Sequence, residues 1–215
     1  MGEITLVRHG QANSAATDEI GYDKLTPLGH QQAQWLGEWM QAHDGSFDQV
    51  FAGSLRRQQE TAAGMGFADI VTDARLNEIA YYDLSAEMAQ YAPDVKRDSP
   101  DDFHIHFPET LNAWKDGHIK GTESYSDFCT RVSEILAMAA QPGKRILCVT
   151  SGGIIAQAVA QILQLSIPQM AQIAVPILNS SVHRFHVTAH GTLLATFNSS
   201  PHLDYADRQD ARTNY

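Results

Sequence analysis

The sequence predicts an α/β protein with a largely parallel central sheet. Three observations lead there. Short apolar runs at "EITLV", "FDQVFAG", "DIVTD" and "RILCVT" read as buried strands. Helical patterns separate them, so strands and helices alternate along the chain. Two of the runs end in abrupt turns, Arg8-His9-Gly10 and Ser151-Gly152-Gly153. Open α/β sheets bind ligands at the carboxyl ends of their strands, where such turns fall.

The elements follow in order. The first strand begins at about Ile4. "LTPLGHQQAQWLGEWMQAH" is a helix with Thr26 as its cap and Pro27 in the first helical position. Leu28, Gln32, Leu36, Trp39 and Met40 fall near helical spacing, and three of the apolar ones make one face. "SLRRQQETAAGMG" is a second helix, with Ser54 available as its cap. "DIVTD" then leads into "ARLNEIAYYD". Residues 83–120 differ in character, with Pro93, Pro100 and Pro108, many aspartates and scattered aromatics. They read as a largely helical lid inserted into a single domain spanning 1–215. From Ser124, Phe128, Val132, Ile135, Leu136 and Ala139 mark a long helix that Pro142-Gly143 ends. "IIAQAVAQILQL" is a buried helix after "RILCVT". "SSVHRFHVTAHGTLLATF" is a hairpin around His190-Gly191. The tail from His202 reads as polar and irregular.

Composition narrows the function classes. Fifteen basic and 25 acidic residues give a formal charge of −10. No basic stripe is visible, which argues against a nucleic-acid partner. Any anion must be held in a local positive pocket, against the global field. Cys129 and Cys148 lie in apolar periodic segments without a CxxC pair, and are expected to be buried reduced thiols. The early first strand leaves no room for a signal peptide, and no apolar run reaches the ~18 residues of a membrane span. The expectation is a cytoplasmic protein with no membrane partner; the sequence does not set its oligomeric state. "HIH" (His104, His106) and "HRFHVTAH" (His183, His186, His190) lack zinc-motif spacing, and surface histidines without a metal are expected.

The chemistry concentrates at "RHG". An arginine at the end of a buried strand is costly unless an anion meets it. Gly10 permits a tight turn after His9. A histidine so placed can have one ring nitrogen fixed by a backbone carbonyl, leaving the other as a nucleophile toward phosphorus. Arg8 supplies a planar fork matched to phosphate oxygens. Of the adjacent Arg56 and Arg57, about 100° apart on a helix, at most one faces a pocket. Glu78 follows a strand, where a carboxyl group can protonate a leaving oxygen.

Together these pieces resemble the histidine phosphatase superfamily, the phosphoglycerate mutase-like proteins. "LVRHGQA" looks like its Arg-His-Gly signature, followed by "LTPLGHQQA". "SLRRQQETA" resembles Leu-x-Arg-x-x-x-Thr-Ala, and aligning Thr61-Ala62 puts the phosphate-binding arginine on Arg57. "RLNE" resembles the segment with the proton donor, Glu78, and "GTESYSDFCTRV" the Gly-Glu-Ser segment and its helix. The resemblance implies a three-layer α/β/α fold and a cofactor-independent, metal-free reaction. In it His9 attacks phosphorus, Glu78 protonates the leaving oxygen, and the phosphohistidine passes its phosphoryl group on.

One signature departs. The family's last strand ends in His-Gly, whereas here "LCVTSGGII" puts Ser151 in the histidine's place. Serine offers one neutral hydrogen bond. Loss of a donor aimed at developing charge typically costs ~10²–10³ in rate. The backbone amides of Gly152 and Gly153 also suit an anion. A serine nucleophile is disfavoured, because Val149 breaks the G-x-S-x-G pattern. The expected function is a phosphatase acting on phosphorylated small molecules or phosphoproteins, with reduced activity. The alternative is a phosphate-binding or scaffolding protein with little turnover; a phosphomutase is a third reading, which the short chain does not favour.

Overall fold

A computed structural model of the chain describes residues 1–97 and 99–214. Six strands form one sheet: β1 (Gly2–Arg8), β2 (Gln49–Ala52), β3 (Ile70–Thr72), β4 (Arg145–Thr150), β5 (Val182–Thr188) and β6 (Gly191–Ser199). Their order is β3-β2-β4-β1-β5-β6. The first four are mutually parallel; β5 and β6 run antiparallel as a hairpin on the edge of β1. The hairpin turns at Gly191, whose φ of 128° favours glycine. β1 begins at Gly2 rather than near Ile4, because both neighbours pair with it from there: Gly2 faces Val187 and Glu3 faces Arg145.

The sheet is covered on both faces, so its central strands carry apolar side chains on both sides. Val7, Leu147 and Val149 pack with Ala33, Leu36 and Met40 of helix α2 (Pro27–His43) and Ala62 of α3 (Arg56–Gly64). Ile4, Leu6, Ile146 and Cys148 face the opposite layer. That layer contains α4 (Tyr81–Tyr91), α5 (Pro100–Lys115), α6 (Tyr125–Ala139), α7 (Gly152–Leu163) and α8 (Ile167–Ala174). A short α1 (Glu19–Tyr22) interrupts the loop after β1. Neighbouring residues of one strand serve opposite cores, as the two-residue period requires. The architecture is three-layer α/β/α.

Several expectations need correction. α8 has no counterpart in the sequence reading; Ser166 and Gln169 form a capping box that starts it. The tail is ordered as two 3-10 turns, Pro201–Leu203 and Ala206–Ala211. Polar bonds hold it, including Gln32 Nε2 to Ala211 O (2.7 Å) and Thr213 Oγ1 to Asn179 Oδ1 (2.8 Å). His106 and His183 are buried rather than on the surface. His183 bridges Ser181 Oγ and the Asn198 backbone N–H, and burial pushes its pKa down to about 3. Cys129 is only partly buried, while Cys148 is fully buried; both are free thiols. Among the described residues no helix is long and apolar enough to cross a membrane, and no cluster of three His, Cys, Asp or Glu side chains could hold a metal.

Candidate active site

Because β1 to β4 are parallel, their carboxyl ends meet at one edge. Arg8 pairs with Thr150, Ala52 with Val149, and Ala52 with Thr72. The residues just beyond these strands are therefore neighbours. His9 N donates to Thr150 O (2.9 Å), and its carbonyl accepts from Ser180 N (3.2 Å). After β3, a 3-10 turn at Ala74–Leu76, capped by Asp73, carries the chain to Glu78.

His9 is 2% exposed. Its Nδ1 lies 2.8 Å from the Gly10 carbonyl. A carbonyl only accepts, so Nδ1 carries the proton and Nε2 of the neutral ring is bare. Burial, then the charges of Arg57 and Arg8, hold the pKa of His9 well below its ordinary value, although the bond to Gly10 works the other way. The glycine at position 10 has a different reason from the one expected. Its φ is not in the left-handed region. A Cβ there would fall 2.4 Å from the Gly29 carbonyl oxygen, so the start of α2 demands the close approach.

The two arginines of α3 separate as the helix period requires. Arg56 is exposed and pairs with Glu60 (2.6 Å), whereas Arg57 is 1% exposed. Ser54 does not cap this helix; the N-cap is Leu55, without a side-chain bond. Asp23 does the capping from the loop after α1. Its carboxylate accepts from Arg56 N (2.9 Å), Arg57 N (3.1 Å) and Arg57 Nη1 (3.1 Å). The Arg57 guanidinium also lies over the Tyr22 ring, 4.9 Å from its centroid. Arg8 Nη1 donates to the carbonyls of Ile177 and Asn214, so the tail orients it. Nε of Arg8 and Nε of Arg57 are buried and have no protein partner among the described residues.

Glu78 Oε1 accepts from Ile79 N (3.0 Å) and Oε2 from Gly153 N (2.9 Å), the first turn of α7. A Cβ on Gly153 would fall 2.3 Å from Glu78 Oε1. Ser151 is fully buried, and its Oγ accepts from Gln58 Nε2 (2.8 Å), which also donates to Leu76 O (3.0 Å).

Arg8, Arg57, Glu78 and Gly152 line one cavity of about 360 Å³. His9 and Ser151 are not among its walls; the His9 ring meets the edge of Tyr22, which is a wall, at 6.2 Å between centroids. The sequence reading missed Asp23, Tyr22, Gln58 and Glu19. Glu19 lines the cavity, accepts from Tyr82 N (3.3 Å) and has its pKa raised, chiefly by burial. The signal for α1 was Asp18, whose side chain accepts from Gly21 N (2.6 Å) as its cap.

Comparison with known proteins gives the family and the fold. The family model of the histidine phosphatase superfamily (branch 1) matches residues 4–200, and the chain belongs to that family. A curated relative from Salmonella choleraesuis (strain SC-B67), named "Probable phosphoglycerate mutase GpmB", is 29% identical over 217 residues, covering 95% of this chain and 96% of its own. Phosphoserine phosphatase from Entamoeba histolytica, solved in complex with 3-phosphoglyceric acid, superposes with a TM-score of 0.67 at 21% identity, covering 94% of this chain and 100% of its own. Alpha-ribazole phosphatase from Shigella flexneri gives 0.64 at 21% identity, covering 92% and 96%.

Proposed function

We propose that the protein is a phosphatase that hydrolyses phosphate monoesters through a phosphohistidine on His9. The observation that carries this reading is a neutral histidine, its Nδ1 held by a carbonyl, set close to two arginines whose buried Nε–H groups have no protein partner among the described residues. A buried donor without a partner is costly, and a phosphate dianion would satisfy it and the charge together. In the first step His9 Nε2 forms a bond to phosphorus as the bond to the leaving oxygen breaks. Glu78 gives that oxygen its proton. In the second step Glu78 takes a proton from water, whose oxygen attacks phosphorus. The N–P bond breaks, and inorganic phosphate leaves with His9 restored. Arg8, Arg57, Ser151 and the amide of Gly152 bind the transferring oxygens, and the segment 83–120 acts as the lid.

Ser151 favours a second reading, a phosphate-binding protein with little turnover, since serine brings no positive charge to the transition state. The name of the Salmonella relative favours a third, a phosphomutase, in which a substrate hydroxyl replaces water. Hydrolysis of p-nitrophenyl phosphate by the parent and by His9→Ala decides between turnover and binding. Alkali-quenched parent enzyme should carry a base-stable phosphate that acid removes and that His9→Ala lacks. Stable phosphate on Ser151 would overturn the assignment.

A further inference from the structure

The cavity has two chemically different ends, and the second is aromatic. Beyond Arg8 and Arg57 its walls include Tyr81, Tyr82, Phe103 and Phe107. Three of these rings form a cluster, with Tyr81 5.7 Å from Phe103 and 5.5 Å from Phe107, and Phe103 5.5 Å from Phe107. The tyrosine hydroxyls are already committed. Tyr81 Oη is hydrogen-bonded to His106 Nδ1 (2.8 Å), and Tyr82 Oη donates to Ala16 O (3.1 Å). A ligand therefore meets ring edges and faces, not phenols. At the exposed rim the Arg97 guanidinium lies 5.1, 5.3 and 5.9 Å from the centroids of Tyr81, Tyr82 and Phe103. It holds the rings by cation–π contact and offers its own flat face to another.

We infer that the leaving group of the substrate carries an aromatic ring, which docks among Tyr81, Tyr82, Phe103 and Phe107 while the phosphate meets Arg8 and Arg57. This rests on the phosphatase reading above. Two further observations support it. Glu19 lines the same cavity, so a leaving group with a carboxylate of its own would face like charge there, whereas an aromatic one needs no counter-ion. The volume, about 360 Å³, lies at the small end of sites for small molecules (roughly 300–1,000 Å³), which suits a phosphate plus one ring rather than a segment of a protein. Ring pairs of this geometry favour binding by roughly 3- to 10-fold each beyond area burial.

The test compares substrates whose leaving groups are all alkoxides: 2-phenylethyl phosphate, n-propyl phosphate, glycerol 3-phosphate and 3-phosphoglycerate. Values of kcat/KM should favour the phenylethyl ester by about tenfold or more, and Phe103→Leu should shrink its advantage over the propyl ester. Titration calorimetry on His9→Ala reads binding without turnover. Preferred binding of the phenylethyl ester without hydrolysis in the parent would uphold the inference and sink the phosphatase reading. Hydrolysis without preference for the ring would sink the inference and leave the phosphatase standing. Preference for 3-phosphoglycerate that Arg97→Gln abolishes would show that the rim arginine reads a carboxylate, and would also overturn it.

Discussion

Replacing Asp23 should loosen the arginine-lined end of the cavity from outside it. Its carboxylate makes three bonds at the start of α3, to Arg56 N, Arg57 N and Arg57 Nη1. Asp23→Ala removes all three. The cap accounts for about 1 kcal/mol. The charge-assisted bond to Arg57 adds ~1.5–3 kcal/mol. The lower part of that range applies, because the Asp23 side chain is 24% exposed and water screens it. The sum is about 3 kcal/mol, which in a chain of this size lowers Tm by roughly 6–12 °C. Turnover should fall as well, since Arg57 then keeps neither its helix start nor its partner. Losing the aim of one donor costs up to ~10²–10³ in rate, so a loss on the order of 10- to 100-fold in kcat/KM is expected. Thermal melts followed by circular dichroism, with p-nitrophenyl phosphate kinetics on the same samples, read both. Asp23→Asn, which keeps one acceptor oxygen, should fall between. A melt within about 2 °C of the parent, with unchanged kinetics, would mean that neither the cap nor Arg57 depends on this carboxylate.

Gly153→Ala should displace Glu78, because the new methyl lands 2.3 Å from its Oε1; alkyl phosphates should then lose more rate than p-nitrophenyl phosphate, whose leaving group needs little proton donation. Equal losses on both substrates would point to general damage instead. Ser151→Ala should cost no more than about tenfold in kcat, the worth of one neutral hydrogen bond. Ser151→His should help only beside Gln58→Ala, because the Gln58 amide sits 2.8 Å from Ser151 Oγ where the ring must go; a single variant faster than the double would refute that crowding. The acid limb of kcat/KM should lie below pH 6.5, since His9 stays neutral there; a limb above 6.5 would contradict the lowered pKa. Stability should also fall on acidification from about pH 6.5. His183 and His202 have folded pKa values near 3, so between those limits the unfolded chain binds protons that the fold refuses, and the free energy of unfolding decreases. Urea denaturation at pH 7 and pH 5 should show a smaller drop for His202→Gln; an identical drop would remove His202 from the explanation.

Strand and helix alternation, the class of the sheet and the motifs at its edge were legible in the residues. Buried parallel strands must be apolar, and helices must turn one face inward, so both leave periodic marks. That at most one of Arg56 and Arg57 turns inward follows the same local rule, as a 100° step cannot bury both; that it is Arg57 was implied by the resemblance at Thr61-Ala62. Ser54 as a cap was a fair local inference, but Asp23, 31 residues earlier, reached the helix start first. The glycine after His9 looked like a turn residue, yet the space it leaves is filled by the carbonyl of Gly29. His106 and His183 looked like surface residues until Tyr81, Thr110 and Ser181 supplied partners that make burial tolerable.

The sequence by itself determined the α/β class and the family, because each is written in local periodicity or contiguous motifs. Tertiary structure alone decided what surrounds the motif residues. It brought the tail carbonyl of Asn214 to Arg8, the Asp23 carboxylate to α3, the Gln58 amide to Ser151 and a cluster of rings to the far end of the cavity. The physical reason is that a hydrogen bond or a ring contact between distant segments has no sequence spacing. It exists only once the sheet has set its strand order and the helices have covered it.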